Sequence, residues 1–212
     1  MNAIDGVILA GGRSSRMGER NKTECLLAGR PMLDWVIEAA RPQVRFLALN
    51  RPDDRAPAHP ALPTIPDRHS GFHGPLMGLY SALAWFADRH QSDWLALFAC
   101  DTPFVPPDLV ARLHHTADSR KAPVALVSLA GRAQPTASLW HCSLLPLLRT
   151  AVEVQHEAGF RPLLERVGPA WLHFDESWAE AFLNVNTPAE LAQADEIARQ
   201  RLHPTQQGGT SC

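Results

Sequence analysis

Between residues 7 and 22 the chain passes from aliphatic to glycine to cation: Val7-Ile8-Leu9-Ala10-Gly11-Gly12-Arg13-Ser14-Ser15-Arg16-Met17-Gly18-Glu19-Arg20-Asn21-Lys22. The run from Gly6 to Ala10 is rich in β-branched and aliphatic residues and predicts a buried strand. At Gly11-Gly12 no Cβ restricts the backbone, which can turn sharply and bring its N–H groups close to a ligand. Arginines and Lys22 follow in the same loop. Bare N–H groups beside several cations suit a polyphosphate; the alternative is a solvated basic loop after a strand. Two familiar phosphate loops are excluded. The G-x-x-x-x-G-K-[ST] spacing is missing, and no third glycine opens a helix where a dinucleotide fingerprint needs one.

Downstream, apolar periodicity alternates between strand and helix. Strands are predicted at Val44–Leu49, Leu62–Ile65, Trp94–Ala99, Val124–Leu129, Thr136–Trp140 and Trp171–Phe174, with Phe182–Val185 a further candidate. Arg132-Ala133-Gln134-Pro135 reads as a polar tip between two of them. Helices are predicted from Pro31 to Ala40 with Pro42 as the stop, and from the Gly74-Pro75 loop towards Asp88. Others open at Pro106-Pro107 and cover Leu144–Val152 and Arg161–Val167. Thr187-Pro188-Ala189-Glu190 is a capping box that opens a last helix towards Leu202. This pattern specifies an α/β fold: one three-layer, Rossmann-like domain over residues 1–202 with a mainly parallel central sheet, followed by a tail, 203–212, expected to be disordered.

In such sheets ligands bind beyond the carboxyl ends of the strands. Gly11, Asn50, Asp67 and Asp101 each follow one of the first four strands, so four strand ends are expected to converge on one crevice. Asp101 comes straight after the apolar run Trp94–Ala99 and is the metal candidate. Magnesium takes oxygen ligands, keeps most of its waters, and is commonly held by one or two carboxylates plus substrate phosphates. A cap for the helix near Pro106 is the rival reading of Asp101, and a turn residue is that of Asp67 and Asn50. Gly74 to Gly78 predicts a helix N-terminus at which the backbone can approach an anion. His69 and His73 are candidate contacts to a second substrate or plain solvated loop residues.

Composition narrows the classes. A chain of 212 residues can bury roughly 70% of its unfolded surface without a staple. A net charge of −2 argues against a nucleic-acid partner. Cys25, Cys100, Cys142 and Cys212 form no C-x-x-C pair, so zinc is not expected and free thiols in a reducing cytoplasm are. There is no basic-plus-apolar leader and no apolar run near 18 residues, so no membrane association is expected.

Leu9-Ala10-Gly11-Gly12-x-x-x-Arg16-Met17-Gly18-x-x-x-Lys22 resembles the signature of nucleotidyltransferases of the molybdenum cofactor guanylyltransferase type. Where many relatives have Asp just before the lysine, this chain has Asn21. Cys100-Asp101-Thr102-Pro103 matches the family's Cys-Asp-x-Pro, whose aspartate holds magnesium; Asp67 stands seven residues before Gly74-Pro75-Leu76-x-Gly78, as in the family. The resemblance implies transfer of GMP from GTP to the phosphate of molybdopterin, with diphosphate released and Mg2+ as cofactor. It implies Arg16, Lys22 and Asp101 as catalytic residues. It implies nucleotide contacts from Leu9, Ala10, Gly11, Gly12, Lys22, Asn50, Asp67, Gly74 and Asp101, and an acceptor pocket at Gln134, Asn184 and Asn186. A molybdoenzyme or its chaperone is the implied further partner. Relatives that use CTP tend to carry Leu-Ala-Ala-Gly; Gly11 leaves room for a purine, and a cytidylyltransferase is the alternative. A sugar-phosphate nucleotidyltransferase and a non-catalytic GTP-binding delivery module are further rivals. Lys22 together with Asp101 argues against the module, since binding alone does not need both.

Overall fold

Strand β1, Ile4–Leu9, sends Val7 and Leu9 into one hydrophobic cluster and Ile8 into another, as the two-residue period of a strand covered on both faces requires. The computed structural model describes residues 4–10, 25–52, 59–69, 74–89 and 92–203. After β1 the described chain resumes with a small hairpin, β2 (Leu26–Leu27) and β3 (Arg30–Pro31), then helix α1 (Met32–Ala40). Strands β4 (Leu47–Arg51) and β5 (Thr64–Pro66) precede α2 (Pro75–Arg89), β6 (Trp94–Ala99) and α3 (Leu109–Arg120). Strands β7 (Val124–Leu129) and β8 (Arg132–His141) form a hairpin. Helices α4 (Leu145–Arg149) and α5 (Arg161–Val167), strand β9 (Ala170–Phe174) and helix α6 (Pro188–Leu202) complete the described chain.

The large sheet has seven strands in the order β5-β4-β1-β6-β8-β7-β9. All neighbours are parallel except where β8 pairs antiparallel with β6 and β7. One face carries Leu33, Val36 and Ile37 of α1 and Leu109, Val110 and Leu113 of α3; the other carries Leu76, Leu79, Tyr80, Leu83 and Phe86 of α2 with Leu148 and Leu163. All six residues of β6 are buried, as the continuous apolar run predicted. The fold is therefore the three-layer α/β arrangement expected.

Several local expectations are corrected. The tip of the β7–β8 hairpin is Ala130-Gly131, with φ of 46° and 81°, rather than residues 132–135. Positive φ at both central residues is the conformation that matches the twist of a two-residue hairpin. Arg132, Ala133 and Gln134 already pair with Leu129, Ser128 and Val127, and the register then jumps from Gln134 to Ser138, so Pro135 to Ala137 form a bulge that tolerates the missing proline N–H. Helix α3 starts at Leu109 with Asp108 at its N-cap, two residues past the proline pair. The predicted helix over Leu144–Val152 is a short α4 entered from a 3-10 turn, Cys142–Leu144, and widened into a π turn, Thr150–Val154. Phe182–Val185 is not a strand: a 3-10 turn, Glu176–Phe182, is followed by irregular chain. The capping box is present as predicted, with Thr187 Oγ1 accepting from Glu190 N at 3.2 Å and Glu190 Oε2 accepting from Thr187 N at 2.8 Å. The tail from residue 204 lies outside the described residues.

Candidate active site

Strands β5, β4, β1 and β6 are consecutive and parallel, so their carboxyl ends share one edge. Asp67, Asn50, Ala10 and Asp101 stand along it. At about 4.8 Å per strand, the row from Asp67 to Asp101 spans roughly 14 Å. Its centre is tightly joined: Ala10 N donates to Asn50 O at 2.9 Å, and Cys100 N donates to Leu9 O at 3.1 Å. Gly11, Gly12, Arg16 and Lys22 lie outside the described residues; Ala10, the last described residue before them, stands beside Asn50, and Leu9 beside Cys100.

Asn50 is buried, and its amide is already engaged. Nδ2 donates to Ile65 O at 3.1 Å and to Asp67 Oδ1 at 3.0 Å. Its side chain thus orients Asp67, which itself is half-buried and anchored by Asp67 N donating to Arg51 O at 3.0 Å. Gly78 makes room for this arrangement: a Cβ there would overlap Asn50 Oδ1 and crowd Leu9 Cδ2 at 2.9 Å. Gly74, at φ 72°, likewise has an internal reason. A Cβ would collide with the Ala158 carbonyl, which accepts from Leu76 N at 3.2 Å. Both glycines answer to neighbouring protein.

Asp101 is half-buried, immediately beyond β6. It does not cap α3, whose N-cap is Asp108. The Asn184–Thr187 segment docks on it instead: Val185 N donates to Asp101 O at 2.9 Å, and Thr102 Oγ1 donates to Asn184 Oδ1 at 2.7 Å. Asn186 N donates to Glu190 Oε2 at 2.8 Å, which ties this segment to α6. Because β8 runs against its neighbours, its first residues reach the carboxyl edge, and this carries half-buried Gln134 past the end of β6. Asp67, Asn50, Ala10, Asp101 and Gln134 therefore stand along one edge of the sheet, with Asn184 joined to it through Thr102.

A model of the MobA-like NTP transferase domain matches residues 6–171, the span that contains this whole row. The chain belongs to that family. A molybdenum cofactor guanylyltransferase of Rhodopseudomonas palustris (strain BisB5) is 37% identical over 198 residues, covering 92% of this chain and 94% of the relative. One from Cereibacter sphaeroides is 37% identical over 196 residues, covering 92% and 97%. Among solved structures, molybdopterin-guanine dinucleotide biosynthesis protein A from Archaeoglobus fulgidus superposes with a TM-score of 0.74 at 24% identity, covering 92% of this chain and 99% of that one. The protein is accordingly a nucleotidyltransferase enzyme.

Two features of this MobA-like transferase were not legible in its sequence. Glu153, on the π turn, gathers three donors from separate places: Tyr80 Oη at 2.5 Å, Arg149 Nε at 3.0 Å and His69 Nε2 at 3.2 Å. The Tyr80 hydroxyl, then Arg149 and His69, hold its carboxyl down at about 2. His69, a pterin-side candidate, is thus tied to Glu153; His73 lies outside the described residues. Asp195 on α6 accepts the Ala28 amide at 2.7 Å. Neither carboxylate is distinguished in sequence from an ordinary helix-surface ion pair with Arg149 or Arg199, because Tyr80, His69 and Ala28 are 73 to 167 residues away.

Proposed function

We propose that the enzyme transfers GMP from GTP to the terminal phosphate of molybdopterin or the molybdenum cofactor. The names of its relatives and the row from Asp67 to Asp101 support this reading, and the row is the observation that carries it. A phosphate oxygen of the acceptor attacks the α-phosphorus of GTP. The bond from the α-phosphorus to the bridging oxygen breaks, diphosphate leaves with the electron pair, and a pterin guanine dinucleotide forms. No covalent enzyme intermediate is needed, so orientation and charge neutralisation carry the catalysis.

Among the described residues no group of three or more His, Cys, Asp or Glu could hold a metal ion. A strand-end carboxylate fits Mg2+, which leaves most of its coordination to water and phosphate oxygens. Asp101 would hold it, and the ion would neutralise charge on the triphosphate when bound. Arg16 and Lys22 are assigned to the charge developing on the phosphoryl group. Lys22 stands three residues before Cys25, which shares a hydrophobic cluster with Phe104, so both described ends of the basic segment adjoin the Asp101 turn. Leu9, Ala10, Gly11, Gly12 and Gly74 line the nucleotide side; Asn50 serves through Asp67. Gln134, Asn184 and Asn186 stand on the acceptor side. A molybdoenzyme or its chaperone receives the product. Among the described residues Cys142 is a free thiol, which suits a reducing cytoplasm; among the same residues no helix is long and apolar enough to cross a membrane.

Calorimetry with GTP and with CTP, each with magnesium, tests the base. Tighter binding of GTP supports the reading and tighter binding of CTP replaces it with cytidylyl transfer. Diphosphate release on adding molybdopterin tests the reaction; binding of GTP without release would leave only a delivery module.

A further inference from the structure

The C-terminal helix α6 begins at Pro188, beyond residue 171 where the matched domain ends, yet it touches both sides of the proposed catalytic edge. On one side is the β2–β3 hairpin, which the chain enters at Cys25 directly after the basic segment 11–24. The hairpin turn is Ala28-Gly29, with φ of 50° and 79°. Its ladder pairs only Leu26 with Pro31 and Leu27 with Arg30, and the Ala28 N–H donates instead to Asp195 Oδ1 at 2.7 Å. On the other side is the Asp101 turn. Phe104, three residues further on, is 1% exposed and packs in one cluster with Cys25, Leu27, Ala194, Ile197 and Ala198. Arg201 lies over the Phe104 ring at 4.5 Å, and Trp35 meets that ring edge-on at 6.0 Å while donating through Nε1 to Leu27 O at 3.1 Å.

We infer that α6 braces the exit of the basic segment against the Asp101 turn, and that Asp195 is the positioning residue of this brace, acting through the Ala28 amide. The packing of Ala194, Ile197 and Ala198 sets how far apart the two sides stand. Apolar packing is not directional, so it leaves the hairpin free to slide along the helix. A hydrogen bond from one backbone N–H to a fixed side-chain oxygen removes that freedom. The Ala28 amide, and after it the Arg199 guanidinium, hold the Asp195 carboxyl below its usual range. The Asp195–Arg199 pair at 2.7 Å is an exposed i,i+4 contact and contributes little by itself. The inference rests on the transfer reaction proposed above.

The test uses the full chain with D195N, D195L and R199A. Diphosphate release gives kcat and KM for GTP, and hydrogen exchange is followed in the peptide spanning residues 25–31. D195N retains an oxygen that can accept the Ala28 amide; D195L keeps the volume and loses the acceptor. Misplacement by about 1 Å at a site built on positioning costs on the order of a hundredfold. D195L should therefore lose kcat by roughly ten- to a hundredfold, with KM for GTP within about threefold, and residues 25–31 should exchange faster. D195N and R199A should stay within about threefold of the wild type in all three measurements. The inference is overturned by wild-type kcat in D195L, by equal losses in D195N and D195L, or by an R199A loss matching D195L. If D195L does not yield folded protein, D195A takes its place with the same outcomes. Should the wild type release no diphosphate, the reaction proposed above fails. The brace is then decided by exchange alone, and unchanged exchange in D195L sinks it.

Discussion

The side-chain amide of Asn50 donates a 3.0 Å hydrogen bond to the carboxylate of Asp67, across two adjacent parallel strands. A hydrogen bond to a charged group contributes about 1.5–3 kcal/mol, and here it fixes the direction of the carboxylate. Replacing Asn50 by Leu should lower kcat/KM for GTP by on the order of ten- to a hundredfold, in line with that energy. Steady-state diphosphate release checks this; unchanged kinetics would mean that Asp67 needs no such guide.

Gly78 seats the oxygen of the same amide. Gly78→Ala drives a methyl into Asn50 Oδ1 and Leu9 Cδ2. The expected cost is about 1–3 kcal/mol of stability, the usual range for overpacking, read as a lower urea midpoint with an unchanged slope. The variant should also reproduce part of the kinetic loss of Asn50→Leu. A stable variant with the kinetic loss alone would place the strain on the site and not on the fold.

Lys22→Ala and Asp101→Ala should each reduce turnover by on the order of 10²–10³ while the protein remains folded, the cost typical of removing one preorganised charge. Rapid-quench measurement of diphosphate release decides it. A loss within about twofold for Lys22→Ala would remove this residue from the role assigned to it.

Glu153 supplies a pH signature. Its carboxyl lies at about 2 in the folded protein against 4.5 for an unperturbed glutamate. A depressed carboxyl stabilises the fold above its unfolded value, and that contribution is lost as pH falls through the folded one. Between pH 4.5 and 2 the wild type should therefore lose stability more steeply than Glu153→Gln. Urea melts across that interval test this. Parallel curves would show that Tyr80, Arg149 and His69 do not favour the ionised form. The side chain is 25% exposed, so the difference will be small.

The sheet was legible because its strands are continuous aliphatic runs, and a run such as Trp94–Ala99 has few other ways to bury itself. Asp101, Asn50 and Asp67 were legible for the related reason that a polar residue directly after such a run marks the carboxyl edge. What Asn50 does there was not legible, since the choice between facing a ligand and facing Asp67 depends on the gap left by Gly78, 28 residues away in sequence. The reversed β8 misled in a different way: Arg132 and Gln134 are polar because they stand at the open edge, and polarity alone reads as a turn. The π turn under Glu153 and the grip of Asp195 on Ala28 have no local signature, because each depends on contacts made only after the chain has closed.

The reversed strand gives the molecule a seam. To one side lie β5, β4, β1 and β6 in unbroken parallel sequence; to the other, β7 and β9. Lengthening the Ala130-Gly131 tip would add side chains beside Gln134 without disturbing a single pairing on the far side. The hairpin side of the sheet can therefore be altered, by evolution or by design, while the parallel side keeps its register.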